Sequence, residues 1–124
     1  MTFEYKLPVR RDRSLPAFGV ANEPVGRPPR IARLVALAHK LEGMVRSGSV
    51  KDYGELARTA QVSPARIHQI VILSQLAPDI QEYVLFLSSE HAGLITEPLL
   101  REIARELVWD RQRDAFRTLL SRRT

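Results

Sequence analysis

Apolar residues recur at helical spacing from residue 31 onward, and no alternating strand pattern interrupts them. The first stripe covers residues 31–46 and ends before Gly48, which is placed as the residue just beyond the helix. Residues suited to helix starts introduce three later apolar sets: Pro78, Thr96 and Asp110. The pattern predicts an all-α fold of about six helices.

Each predicted helix has one apolar face that we expect to be buried. In the first helix this face consists of Ile31, Leu34, Val35, Ala38, Leu41 and Val45. In the last three helices it consists of Ile80, Val84, Leu87, Leu99, Leu100, Ile103, Ala104, Leu107, Val108, Phe116, Leu119 and Leu120.

Residues 52–73 predict two short helices joined by a tight turn. Asp52 is a good N-cap, and Glu55 three residues later completes the pattern of a capping box. Ser63 suits the N-cap of the second helix, with Pro64 at the first position, where a missing N–H costs nothing. This is the helix-turn-helix pattern, whose second helix enters the DNA major groove.

The turn itself has one unusual residue. Gln61 stands where such motifs often have glycine, so we expect a positive φ there. Val62 is expected to anchor the turn as an apolar plug, with Leu56, Ala57 and Ala60 on the inner face of the first helix. The alternative is a helical hairpin that packs and does nothing else.

Residues 1–29 predict a flexible basic arm ahead of a helical domain at 30–124. Five prolines are spread through the arm, so no helical or strand period survives in it. The run from Gly26 to Arg30 resembles the Gly-Arg-Pro core of an AT-hook, which makes Arg27 and Arg30 candidate minor-groove contacts. A stiff proline-rich linker is the alternative.

The net charge of +5 lies at the two ends of the chain. Residues 1–30 and 110–124 each carry a net charge of +3, whereas residues 31–109 carry −1. Basic ends that flank a helical domain favour double-stranded DNA as the partner, with general solubility as the alternative explanation.

Composition excludes several classes of protein. The absence of cysteine rules out disulfides and thiolate metal sites, and three scattered histidines do not form a metal cluster. No cofactor is expected. No apolar run approaches the ~20 residues of a membrane span, and the N-terminus is polar, so we expect a cytoplasmic, nucleoid-associated protein.

The candidate DNA contacts lie opposite the buried positions of the second helix. Gln69 could pair in bidentate fashion with adenine, and Arg66 could reach guanine or a phosphate. His68 could donate to DNA or simply be exposed, and Ser63 with the helix N-terminus could hold a phosphate. The full set, with flanking backbone contacts, is Lys51, Tyr53, Arg58, Ser63, Ala65, Arg66, His68, Gln69, Arg27 and Arg30.

The order of elements from Ile31 to about Arg105 resembles the central DNA-binding domain of ParB/KorB-type partition proteins. The likeness rests on a leading helix and on Glu55-Leu56-Ala57, Val62-Ser63, Arg66-Ile67-His68-Gln69-Ile70, Leu76-Ala77-Pro78-Asp79-Ile80 and Thr96-Glu97. It implies an all-α domain that binds palindromic DNA. We expect no counterpart of the nucleotide-binding and dimerisation domains of those proteins in residues 1–124, so CTP binding is not implied. The chain is also similar to small recombinase-associated proteins of mobile elements.

An enzyme is not expected, because no phosphate loop or close carboxylate pair occurs and Ser88 has no base within local reach. The alternative function is an adaptor that docks on a recombinase or a similar partner. A homodimer is a further expectation, with Phe116, Leu119 and Leu120 beside Trp109 as the interface. The other reading is that this patch folds back onto the domain's own core.

Overall fold

Six α-helices form the fold of the protein in a computed structural model, which describes residues 15–19, 27–91 and 93–123. Within these ranges there is no β-strand, which confirms the all-α prediction. The helices are α1 (Arg30–Arg46), α2 (Tyr53–Ala60), α3 (Pro64–Val71), α4 (Pro78–Leu85), α5 (Glu97–Ala104) and α6 (Trp109–Arg123). Two 3₁₀ turns, Ile72–Gln75 and Ser89–His91, lie between them.

Helix α1 is the scaffold on which the next elements pack. It contacts α3, α4 and the 3₁₀ turn after α3. Val35 and Ala38 are fully buried at this contact, whereas Val45 is only half-buried. Gly48 follows the helix with a φ of 85°, as predicted for the residue beyond its C-terminus.

The junction between α5 and α6 differs from the prediction. Helix α5 ends at Ala104, and the side chains of Leu107 and Val108 are 87% and 47% exposed rather than buried. The chain turns here, because the N–H of Glu106 donates to the backbone oxygen of Ile103 and its carboxylate accepts from the N–H of Val108. The turn directs Leu107 away from the core. A continued α5 would have placed Leu107 on the buried face of the helix.

The apolar side of α6 folds back onto the domain. Phe116, Leu119 and Leu120 all belong to the hydrophobic core, and Phe116 is fully buried. Of the two alternatives for this patch, the structure therefore shows the intramolecular one. The dimer interface expected there is wrong, since its three apolar side chains are already covered.

Residues 15–19 pack on the helical domain, although the sequence places them in the flexible arm. Leu15 is buried, and Phe18 meets the rings of Tyr83 and Phe116 edge to face at 6.0 and 5.2 Å. The Tyr83 hydroxyl donates to the backbone oxygen of Pro16 at 2.6 Å. The arm was misjudged here because two apolar side chains sufficed to attach it. Most of the arm, residues 1–14 and 20–26, lies outside the described residues.

Candidate nucleic-acid interface

The turn between α2 and α3 has the hydrogen bonds of a Schellman motif, which ends a helix on a left-handed residue. Gln61 has φ 57° and ψ 44°, which confirms the positive φ expected at this position. Its N–H donates to the backbone oxygen of Arg58, and the N–H of Val62 donates to that of Ala57 at 3.0 Å. The motif redirects the chain sharply enough for α3 to pack against α2.

Side-chain caps fix where both helices begin. Asp52 Oδ1 accepts the N–H of Glu55 at 2.8 Å, and Ser63 Oγ accepts that of Arg66 at 3.1 Å, as predicted. The reciprocal bond of the capping box is displaced by one residue, because Glu55 Oε1 accepts the N–H of Lys51 instead of Asp52. These caps set the register of α3 and therefore the side chains that it turns outward.

Two apolar residues of the turn region do not behave as predicted. Val62 is 36% exposed, so it is not a buried plug, and Ala60 is also exposed. The Schellman hydrogen bonds hold the turn without an apolar anchor, and α2 is only eight residues long, so its last turn projects beyond the core. Leu56 and Ala57 alone form the buried face of α2.

Helix α3 buries one face and exposes the other. Ile67, Ile70 and Val71 lie in the core, as predicted. The exposed face consists of Ser63, Pro64, Ala65, His68 and Gln69. None of these five residues is acidic, and no Asp or Glu occurs in residues 56–78. A helix face whose own side chains carry no negative charge is suited to approach a polyanion.

The flanking candidates surround this face. Lys51 and Arg58 are exposed, and neither forms an ion pair with another described residue. Tyr53 is half-buried with its ring 6.0 Å from that of His68. Burial, followed by the nearby Glu42, raises the pKa of Tyr53 above its ordinary 10.0, so its hydroxyl is a neutral donor at physiological pH.

Arg66 does not extend freely from α3, because its guanidinium is paired with Glu97 at the start of α5. Its Nη1 and Nη2 donate to Oε2 and Oε1 of Glu97 at 2.5 and 3.2 Å. Nη1 also donates to Oε1 of Gln69 at 3.1 Å. The hydrogen bond from Arg66 holds the pKa of Glu97 below its ordinary 4.5 against the opposing effect of burial, and it raises the pKa of Arg66.

Glu97 was missed by sequence reasoning and is the centre of a charged cluster. Its side chain is 8% exposed, and it also accepts from Arg101 at 2.7 Å and lies 3.6 Å from Arg30. One carboxylate thus joins guanidinium groups from α1, α3 and α5. The spacing of Glu97 and Arg101 was a visible helical signal. The partnership with Arg66, 31 residues earlier, had none.

The two candidates from the arm lie at its described end. Arg27 and Arg30 are exposed, and Arg30 is the first residue of α1. Arg30 lies 3.6 Å from Glu97, and its side chain is still 67% exposed. Both residues therefore lie at the N-terminal end of α1, the helix on which α3 packs, and Arg30 shares the carboxylate of Glu97 with Arg66.

The sequence shows no base beside Ser88, but the fold places His91 within reach of it. Its Oγ lies 2.8 Å from Nδ1 of His91, and both side chains are buried. The N–H of His91 also donates to the backbone oxygen of Ser88 at 3.1 Å. Both hydrogen bonds lie at the 3₁₀ turn Ser89–His91. Trp109 is 47% exposed, with Nε1 donating to the backbone oxygen of Gln75.

Comparison with protein-family models finds no matching family, and searches among curated proteins and solved structures find no significant match. Among the described residues, no group of three or more metal-ligating side chains is placed to hold an ion. None of the described helices has the length and hydropathy needed to cross a bilayer. The function must therefore be inferred from this chain's own residues.

Proposed function

We propose that this protein binds double-stranded DNA in a sequence-specific manner through the α2–α3 helix-turn-helix. The observation that supports it is the outward face of α3, where His68 and Gln69 are exposed while Ile67 and Ile70 are buried. A short capped helix of this kind fits the major groove, and its exposed side chains reach base edges. The role that suits such binding is that of a transcriptional regulator or an accessory factor in partition or recombination.

Contacts with the DNA backbone complete the proposal. Lys51 and Arg58 flank α3 with exposed cationic groups, and the exposed Ser63 caps its N-terminus with a hydroxyl that can still donate. Such groups bind phosphates, which fix the orientation of the protein without reading sequence. Arg27 and Arg30 provide two further cationic groups for phosphate contacts at the end of the arm. This is a binding role, with no catalytic step and no cofactor.

The resemblance to ParB/KorB-type domains supports the same function. The predicted order of a leading helix, a helix-turn-helix and two further helices agrees with the positions of α1 to α5. Palindromic sites and a two-fold dimer on DNA follow from that resemblance, as does association with the nucleoid. Any dimer contact must use a surface other than the buried Phe116, Leu119 and Leu120.

The decisive experiment is a selection of binding sites from random duplex DNA, followed by affinity measurements at several salt concentrations. The wild type should enrich one sequence and lose affinity as salt rises. Gln69→Ala should weaken binding to that sequence by about 1–3 kcal/mol and leave binding to random duplex unchanged. Gln75→Ala, an exposed glutamine outside the reading helix, is the matched control and should change neither.

Two results would contradict the proposal. One is a wild type that enriches no sequence. The other is a Gln69→Ala variant that weakens binding to selected and random DNA equally, which would assign Gln69 to the backbone.

One observation favours the second candidate function, that of an adaptor for a protein partner such as a recombinase. Leu107, Val108 and Trp109 are consecutive, apolar and exposed where the chain turns into α6, of which Trp109 is the first residue. Apolar side chains exposed together are typical of protein interfaces. Under this alternative α2 and α3 serve only for packing, and duplex DNA should show no salt-dependent binding.

A further inference from the structure

The orientation of the Gln69 amide is fixed by its neighbour on α3. A guanidinium group has N–H donors and no acceptor, so Arg66 can pair only with the amide oxygen of Gln69. Arg66 Nη1 donates to this oxygen at 3.1 Å. The amide nitrogen of Gln69 therefore lies on the side away from Arg66. Gln69 is exposed, and its two N–H donors are not engaged by Arg66.

Arg66 is in turn held from a different helix. Glu97, the first residue of α5, accepts hydrogen bonds from both terminal nitrogens of Arg66, and its own side chain is only 8% exposed. Arg101 donates to the same carboxylate at 2.7 Å. A two-point ion pair of this kind restricts a guanidinium to one plane. The rotamer of Arg66, and through it that of Gln69, is thus set before any ligand arrives.

We propose that Glu97 is a positioning residue for DNA recognition, which acts through Arg66 to present the Gln69 amide to an adenine. The Nε2 group of Gln69 donates to adenine N7, and the remaining lone pair of Oε1 accepts from the adenine amino group. Arg66 supports this contact and does not itself read a base. The inference rests on the proposed function and adds a residue of α5 to the determinants of specificity.

The energetic basis is preorganisation. A glutamine side chain on a surface helix samples several rotamers, and binding in one of them costs conformational entropy. The hydrogen bonds that link Glu97 to Arg66 and Arg66 to Gln69 impose that entropic cost during folding instead of during binding. Only the contact made by Gln69 benefits, so the effect is confined to one base pair of the site.

The test is Glu97→Gln, which preserves size and removes the charge that holds Arg66. We expect its preference for adenine at the base pair read by Gln69 to fall about tenfold, to the level of Gln69→Ala. Affinity for random duplex should not fall, because one negative charge is removed. The Glu97→Gln, Gln69→Ala double variant should be no less selective than Gln69→Ala alone, since Glu97 acts through Gln69.

Glu102→Gln is the matched control. Glu102 is on the same helix and pairs with Arg105 at 2.8 Å, but its side chain is 75% exposed, whereas that of Glu97 is 8% exposed. The change in net charge is identical. This variant should keep full preference at every base pair, which separates the positioning effect from a general electrostatic one.

The outcomes distinguish the two proposals. A wild type without sequence preference overturns the proposed function and this inference together. A selective wild type whose preference survives in Glu97→Gln overturns the inference alone. So does a Glu97→Gln variant that loses preference equally at all base pairs, because that result indicates a purely structural role.

If Glu97→Gln fails to fold by circular dichroism, Arg66→Met decides the matter. It keeps the aliphatic part of the side chain and leaves Glu97 paired with Arg101. We expect a loss of preference at the base pair read by Gln69 and at no other. Retained preference there, or a loss at a separate base pair, would overturn the inference, since Arg66 would then be irrelevant or a base reader itself.

Discussion

The side chain of Gln112, on α6, accepts the backbone N–H of Ala77, at the start of α4, with 2.7 Å between Oε1 and N. Gln112 is fully buried. Its Nε2 donates to the backbone oxygens of Gln75 and Glu106 at 3.1 and 2.8 Å. One amide thus pairs with three backbone groups on two segments of the chain, and buried polar groups require such partners. Helix α6 is fixed to the preceding chain by this amide as well as by its apolar face.

Replacing Gln112 with leucine should therefore destabilise the fold. The N–H of Ala77 and the backbone oxygen of Glu106 would lose their partner, whereas the oxygen of Gln75 would keep the N–H of Trp109. Each unsatisfied buried group costs about 1–3 kcal/mol, so we expect the free energy of unfolding, measured by chemical denaturation, to fall by about 2 kcal/mol or more. Gln75→Ala, at an exposed side chain, should change it by less than about 0.5 kcal/mol. A Gln112→Leu variant as stable as that control would show that the buried amide is dispensable.

The packing of residues 15–19 makes a second prediction. Leu15→Ala removes a buried side chain and should lower the free energy of unfolding by about 2 kcal/mol or more. Ala17→Ser alters an exposed residue of the same segment and should leave it unchanged. Thermal denaturation of both variants is the measurement. If Leu15→Ala melts at the wild-type temperature, the segment does not contribute to the folded domain.

At position 61 the wild-type glutamine is not the residue that gives the highest stability. Its left-handed backbone costs a residue with a Cβ about 1 kcal/mol, so Gln61→Gly should raise stability by up to about that amount. Gly48→Ala is the reverse experiment, because a Cβ there would meet no atom within 4 Å and the loss would report backbone strain alone. Opposite shifts in melting temperature are expected. A stabilised Gly48→Ala would argue against the strain at these positions.

The Glu97 cluster predicts a pH dependence of stability. The pKa of Glu97 is lowered in the folded state by its hydrogen bond from Arg66, so its stabilising contribution is complete above the ordinary value of 4.5. That contribution disappears as the pH falls from about 4.5 through the lowered pKa. The difference in melting temperature between wild type and Glu97→Gln should therefore be constant from about pH 6 to 8 and shrink in acid. A difference that persists unchanged in acid would contradict the assignment.

Lys51 and Arg58 should contribute to affinity without contributing to sequence preference. Replacing either with alanine should weaken binding to all duplexes alike and reduce the slope of log affinity against log salt by about one. Arg117→Ala is the control, because this arginine is on α6 and its guanidinium lies over the ring of Phe18. An unchanged salt slope for Lys51→Ala and Arg58→Ala would remove both residues from the interface.

Local sequence signals predicted the helices well because each depends on residues close together in the chain. Asp52, Ser63 and Gly48 act on backbone groups within a few positions, and the structure shows them at the expected helix ends. The extent of α5 was overestimated, because Leu107 continues a helical period that the turn after Ala104 interrupts. Periodicity alone carries no information on where such a turn occurs.

The candidate site was predictable only in part. The exposure of His68 and Gln69 follows from the helical period of α3, which the sequence displays. The restraint of Arg66 by Glu97 depends on the arrangement of α3 and α5, and the same applies to the contact of Phe18 with Phe116. Long-range side-chain pairs of this kind follow from the three-dimensional packing, which no local pattern contains.

The edge-to-face aromatic cluster has a consequence for biosynthesis. Phe18 and Pro16 leave the ribosome early, but Tyr83 is synthesised 67 residues after Pro16 and Phe116 lies on the last described helix. The nascent chain therefore cannot form these aromatic contacts until α6 has left the ribosome. Contacts between residues far apart in the chain also form slowly. During translation, the apolar faces of the earlier helices remain available to chaperones, and release of the completed chain coincides with the closing of the core.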